Sequence, residues 1–196
     1  YRLSIRLKEK IKPDVLQQAV DLALVRFPTY KVEIHKGLFW RYLVPNNRPG
    51  PFVQPDIRNQ CMPMPFKANN RYLLRFYYYE NRISLEAHHS LGDGTGGMCV
   101  LHTVTATYLR LLGYEIENGG FVLDIHEEPD PSELEDAYMK YANAKVCPPR
   151  PGEKTYRVRG TKEPFYTLNI IIHLKKRNNN KKRPTNIISY SDNCFL

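Results

Sequence analysis

Arg82-Ile83-Ser84-Leu85-Glu86-Ala87-His88-His89-Ser90-Leu91-Gly92-Asp93-Gly94-Thr95-Gly96-Gly97 decides how this chain is read. Arg82 to Ala87 reads as a strand. The strand runs directly into two histidines and a glycine-rich turn. Tyr72 to Tyr79 precedes it and joins it at Glu80-Asn81, which predicts a tight antiparallel hairpin. Beyond the glycines, Val100, Leu101, Val104, Tyr108, Leu111 and Leu112 recur at helical spacing. They predict a helix over roughly Met98 to Leu112, stopped by Gly113.

The pattern extends outward on both sides. Tyr1, Leu3, Ile5 and Leu7 alternate with Arg2, Ser4 and Arg6, giving a first strand. Pro13 suits the first turn of a helix, Asp14 complements its dipole, and Leu16, Ala19, Val20, Ala23, Leu24 and Phe27 form its apolar face before Pro28 ends it. Tyr30 to Ile34 and Leu38 to Val44 read as a second hairpin turning at Lys36-Gly37. Pro45 to Asn70 holds six prolines and reads as loop. Ser132-Glu133-Leu134-Glu135 has the form of a capping box opening a short helix through about Ala142. Thr155 to Val158 and Phe165 to Ile172 read as further strands. The class expected is α+β, a mixed-sheet α/β sandwich with helices packed on a mixed β-sheet.

Composition narrows the function. Of 196 residues 42% are apolar, with 14 Tyr and 8 Phe, which fits one folded, aromatic-rich domain rather than disorder. No stretch approaches the roughly 18 to 20 apolar residues of a membrane span, and no signal-peptide pattern opens the chain. The chain starts at Tyr1, already inside a strand, so residues are expected to precede it. Cys61, Cys99, Cys147 and Cys194 are widely spaced, which argues against a disulfide framework or cysteine-rich zinc site and fits a reducing, cytoplasmic setting. The net charge is +9. His173 to Leu196 carries six Lys/Arg against one Asp, so +5 sits in that run and only +4 in the rest. A nucleic-acid surface is therefore not expected. The division expected is a folded unit over 1–172 and a basic Asn/Lys-rich tail over 173–196, disordered or foreign to the fold.

The paired histidines carry the chemistry. A neutral imidazole titrates at about 6.5, so it can take a proton from a hydroxyl, amine or thiol attacking a carbonyl. Adjacent strand residues point to opposite faces, so only one of His88 and His89 can address a given channel, and the other packs or holds the loop. Asp93 has two readings: it holds the imidazole, as in a hydrolase triad, or it pins the loop by pairing with an arginine. Two weaker alternatives remain. His88, His89 and Asp93 as metal ligands lack support from the scattered His35, His102, His126 and His173. Gly92 to Gly97 also fits G-x-G-x-x-G, with Glu115 and Glu117 about twenty residues on, but a dinucleotide fingerprint belongs to a parallel βαβ unit and not to a hairpin.

His88-His89-Ser90-Leu91-Gly92-Asp93-Gly94 resembles, without a departure, the His-His-x-x-x-Asp-Gly motif of the CoA-dependent acyltransferase superfamily, which includes chloramphenicol acetyltransferase and nonribosomal peptide condensation domains. Arg26-Phe27-Pro28, Lys36-Gly37-Leu38-Phe39-Trp40, Arg82-Ile83-Ser84-Leu85-Glu86 and Asp93-Gly94-Thr95-Gly96 are similar to bacterial predicted alcohol acetyltransferases, so the likeness covers roughly Tyr1 to Ile172. The resemblance implies a chloramphenicol acetyltransferase-like half domain. His89 would be the general base, Asp93 structural and bonded to an arginine, with Arg6 as the first candidate, and Gly94 would let the loop backbone pass close to the channel. The donor would be acetyl-CoA or another acyl-CoA, the acceptor a small-molecule alcohol or amine, and no metal is needed. CoA-binding residues are not assigned. Two-subdomain members are about twice this length, with the channel between halves, so a second half or partner chain is implied. The trimeric members carry the motif near their C-terminus, whereas here it precedes the midpoint. His173 to Leu196 then reads as a shifted frame, a truncation or an unrelated end. Two alternatives are a catalytically incomplete half acting as a binding module, and a condensation-type domain using carrier-protein thioesters.

Overall fold

Strand alternation and helix periodicity together build two layers. The structure is a computed structural model describing residues 1–56, 62–135 and 140. In chain order it contains β1 (Arg2–Arg6), α1 (Pro13–Ala23), β2 (Val32–Lys36), β3 (Arg41–Pro45), β4 (Val53–Pro55), β5 (Leu74–Tyr79), β6 (Arg82–Ala87) and α2 (Gly94–Leu111). Short 3₁₀ turns lie at Leu24–Arg26, Phe66–Asn69, His89–Leu91 and Pro131–Glu133. Four strands form one sheet in the order β1-β6-β5-β4, with β4 parallel to β5 and the other pairs antiparallel. Strands β2 and β3 form a separate antiparallel hairpin. This is the mixed-sheet α/β arrangement expected.

Leu3, Leu74, Phe76, Ile83 and Leu85 are buried in one core with Leu16, Ala19, Val20 and Ala23 of α1 and Val100, Leu101, Val104 and Tyr108 of α2. The two helices pack on each other, and α2 lies against β1 and β6. Each fully buried Leu, Ile or Phe contributes about 1.5–3 kcal/mol. Pro13 stands at the first position of α1, and the Lys12 N–H preceding it donates to the Tyr108 hydroxyl of α2 at 3.0 Å. The backbone that begins one helix is thus tied to the end of the other.

Four expectations are corrected. The second hairpin turns over Gly37–Trp40, not at Lys36-Gly37, so Leu38, Phe39 and Trp40 lie in the turn. The proline-rich segment contributes β4, whose Pro55 suits a sheet edge. Helix α2 begins at Gly94, four residues before Met98, because Asp93 caps it. Ser132 does not open a helix: it lies in the 3₁₀ turn capped by Asp130, whose carboxylate accepts the Ser132 N–H at 2.8 Å. Glu133 instead receives Arg26 at 2.7 and 2.9 Å. Residues 136–139 and 141–142 of that expected helix lie outside the described residues. So do the strands expected at Thr155–Val158 and Phe165–Ile172, the 173–196 tail, Cys61, Cys147 and Cys194. Cys99, half-buried on α2, is a free thiol. No helix is long and apolar enough to cross a membrane among the described residues.

Candidate active site

The sheet delivers the histidines to the end of a central strand. Strand β6 lies between β1 and β5. Its ladder continues past Ala87: Tyr1 and Ala87 exchange backbone hydrogen bonds at 3.1 Å each, and the His88 N–H donates to Leu73 at 2.8 Å. The chain then enters the His89–Leu91 turn, closed by Leu91 N–H to the His88 carbonyl at 3.1 Å. Leu91 is buried and anchors the turn, while His88, His89 and Ser90 are exposed.

The two histidines differ in what they hold. His88 Nδ1 lies 2.8 Å from the Ser90 hydroxyl and accepts the Ser90 N–H at 3.3 Å. A backbone N–H only donates, so Nδ1 is the acceptor and a neutral His88 carries its proton on Nε2. His88 is thereby committed to the turn. His89 makes no hydrogen bond within the described residues; its ring meets the Tyr1 ring at 74° with centroids 5.2 Å apart. Nothing local to the motif signals this contact, because Tyr1 stands 88 positions earlier. The β1–β6 register, Arg2 opposite Glu86, brings it there.

Asp93 caps a helix, and no arginine pairs with it among the described residues. Its carboxylate accepts the Gly96 N–H at 2.9 Å and caps α2, and the Gly97 N–H follows with the Asp93 carbonyl at 3.1 Å. It makes no hydrogen bond to His89 and no ion pair with Arg6 among the described residues. Arg6 pairs with Arg82 in register, at the opposite end of the β1–β6 ladder from the motif. The arginine near the motif's end is Arg2, which is held by Asp56 and Glu86. Replacing Asp93 with alanine is expected to lower stability by about 1 kcal/mol, and Asp93→Asn by much less, because asparagine also caps helices. Thermal unfolding of both variants checks this.

The glycines pack on two tyrosines. A methyl group at Gly92 or Gly96 would stand 2.7 or 2.6 Å from the Tyr30 hydroxyl, and one at Gly97 would stand 2.7 Å from that of Tyr1. Burial pushes both phenols above their ordinary range. Each hydroxyl influences the other's ionisation, yet neither makes a hydrogen bond of good geometry among the described residues. Gly94 differs: a methyl there would meet nothing within 4 Å. It faces open space beside the motif.

The dinucleotide reading fares poorly in this geometry. The strand feeding the glycines is antiparallel to both neighbours, so the motif is not the turn of a parallel βαβ unit. No group of three or more His, Cys, Asp or Glu is placed to hold a metal among the described residues. A cavity of about 260 Å³ is lined by Asp21, Lys31, Arg48, Gly50 and Tyr72 and includes none of the motif residues.

No protein-family model matches the sequence, and no curated protein matches it. Among solved structures the chain is similar to SgcC5 from Streptomyces globisporus, with 15% identity over 61% of this chain and 32% of that one and a TM-score of 0.47. It is similar to polyketide synthase associated protein 5 from Mycobacterium tuberculosis, with 18% identity over 57% and 29% and a TM-score of 0.44. It is also similar to VibH, an NRPS condensation enzyme, with 16% identity over 60% and 31% and a TM-score of 0.41. The chain spans about a third of the length of each.

Proposed function

We propose that this chain is the histidine-bearing half of an acyl-transfer site. His89 takes the O–H or N–H proton of an alcohol or amine as that atom bonds to the carbonyl carbon of an acyl thioester, most simply acetyl-CoA. The tetrahedral intermediate collapses, the C–S bond breaks, and the imidazolium returns its proton to the departing thiolate. The observation that carries this reading is the unequal use of the two histidines. His88 is tied to Ser90, while His89 stands at the end of β6 with both ring nitrogens uncommitted within the described residues. A general base needs that freedom.

The exposure of His89 supports an incomplete site. The His89 ring is open to solvent among the described residues, and in this reading the donor is held by residues outside that set, by further sequence or by a partner chain. A carrier-protein thioester is the competing donor to CoA. Assaying both donors with the same alcohols and amines separates them, and turnover with acetyl-CoA alone supports the CoA reading.

Gly94 offers a test of donor passage. Alanine at a first-turn helical position with open space costs little and improves helix propensity by up to about 1 kcal/mol. If an acyl chain passes over this turn, Gly94→Ala raises KM for the donor while leaving the melting temperature unchanged or higher. An unchanged KM removes Gly94 from the donor path.

A further inference from the structure

The β2–β3 hairpin ends in an apolar tip that no described residue covers. Leu38 is 88% exposed, Phe39 92% and Trp40 63%. The tip is a built turn. The Gly37 N–H donates to the Trp40 carbonyl at 2.7 Å. The indole folds back over Gly37, where a methyl group would stand 3.0–3.3 Å from its atoms. Trp40 therefore braces the turn, and Leu38 and Phe39 are held outward. A preformed apolar cluster of this kind in water marks a recognition surface.

The charges around it are basic. Between Asp21 and Asp56 the only acid is Glu33, against Arg26, Lys31, Lys36, Arg41 and Arg48. Glu33 is engaged by His35 at 2.6 Å, Arg48 at 3.4 Å and Arg71 at 3.9 Å. Lys36 and Arg41 flank the tip on its two strands, directly opposite each other in register, and both are exposed. Like charges in such a cross-strand pair are unfavourable unless an anion stands in front of them. Neither has an acidic partner among the described residues.

We propose that this tip docks into an anionic lipid surface. Leu38 and Phe39 enter the boundary of the acyl chains, Trp40 sits at headgroup level, and Lys36 and Arg41 meet lipid phosphates. Three consecutive exposed apolar residues at a turn flanked by two cations suit insertion into an anionic lipid boundary. The proposal is independent of the acyl-transfer reading.

Trp40 is the only tryptophan in the chain, so its emission reports directly on the tip. The 196-residue chain is titrated with vesicles of phosphatidylcholine alone and of phosphatidylcholine mixed with phosphatidylserine, following emission and co-sedimentation. A blue shift and sedimentation with the mixed vesicles, both reversed in about 1 M salt, are expected. Lys36→Gln combined with Arg41→Gln should weaken partitioning roughly 25-fold. Leu38→Ser combined with Phe39→Ser should abolish it with the circular dichroism unchanged. Three results would overturn the proposal. The first is no Trp40 shift on anionic vesicles. The second is undiminished binding of the Leu38→Ser, Phe39→Ser chain, which would place binding in the basic C-terminal run. The third is an emission already blue-shifted without lipid together with a dimer mass in gel filtration, which would assign the tip to a second copy.

Discussion

Replacing His89 with alanine is expected to lower acyl transfer by about 10²–10⁴-fold in kcat/KM, the usual contribution of a positioned general base. The same substitution should leave stability within about 0.5 kcal/mol, because the side chain is exposed and meets the Tyr1 ring edge-on. The combination is diagnostic, since a structural histidine would lose both together. His88→Ala should behave differently. It removes the acceptor of the Ser90 N–H, so it loosens the turn and lowers activity through His89 placement. Its loss should be smaller, and it should be accompanied by a lower melting temperature. Activity and thermal unfolding measured on both variants decide between these outcomes.

Asp56→Ala is expected to lower stability by about 3–5 kcal/mol, a large share of the 5–15 kcal/mol typical of a domain. Arg2, Glu86 and Arg75 are register neighbours across β1, β6 and β5 and lie on the face of the sheet opposite the helices. Arg2 binds Glu86 at 3.2 Å, Glu86 binds Arg75 at 2.7 Å, and the Tyr77 ring lies 5.3 Å from both guanidinium groups. Asp56 closes this network by pairing with Arg2 and with Arg82 at 2.7 Å. Without it Arg2 remains buried and shares Glu86 with Arg75. Arg82→Gln should cost only about 1 kcal/mol, because Arg82 is partly exposed. Urea unfolding at neutral pH checks the contrast.

The same carboxylate sets an acid limit. Burial pushes the Asp56 carboxyl up, but Arg2 and Arg82 pull it down further, and the net shift is below the ordinary value. A depressed folded value means that the unfolded chain binds the proton more readily. The stabilisation is therefore complete above about pH 4 and is lost as pH falls through the lower folded value. The acid limb of the stability curve should be flatter in Asp56→Ala than in the native chain.

Local pattern was enough for β1, β5 and β6 and for the buried face of each helix, apart from Leu111, which is exposed. It failed where a distant group decides the outcome. Leu38-Phe39-Trp40 reads as strand because aromatic and branched residues favour strands, yet Gly37 and the folded-back indole make it a turn. Strand β4 has no local signal. Its Val53 N–H is satisfied by Gln17 of α1, and the preceding Phe52 N–H by Asn69. The arginine pairing of Asp93 was implied by the resemblance, and glycines, poor helix formers, concealed the start of α2 at Gly94. The geometry instead makes Asp93 the cap, and strand register carries Arg6 away from it. The motif itself was legible in full, but Tyr1 beside it needed the register of β1 on β6, and Tyr30 against its glycines needed the tertiary packing.

The assignment of His89 is tested most directly by acceptor-dependent release of CoA from acetyl-CoA, with the ester or amide product identified by mass. The measurement is made on the 196-residue chain, on the longest reading frame that contains it, and on His89→Ala versions of both. Release with product in the native longer form, lost in its His89→Ala version, is the expected result. Undiminished release after His89→Ala, or no acceptor-dependent release from either native form, contradicts it.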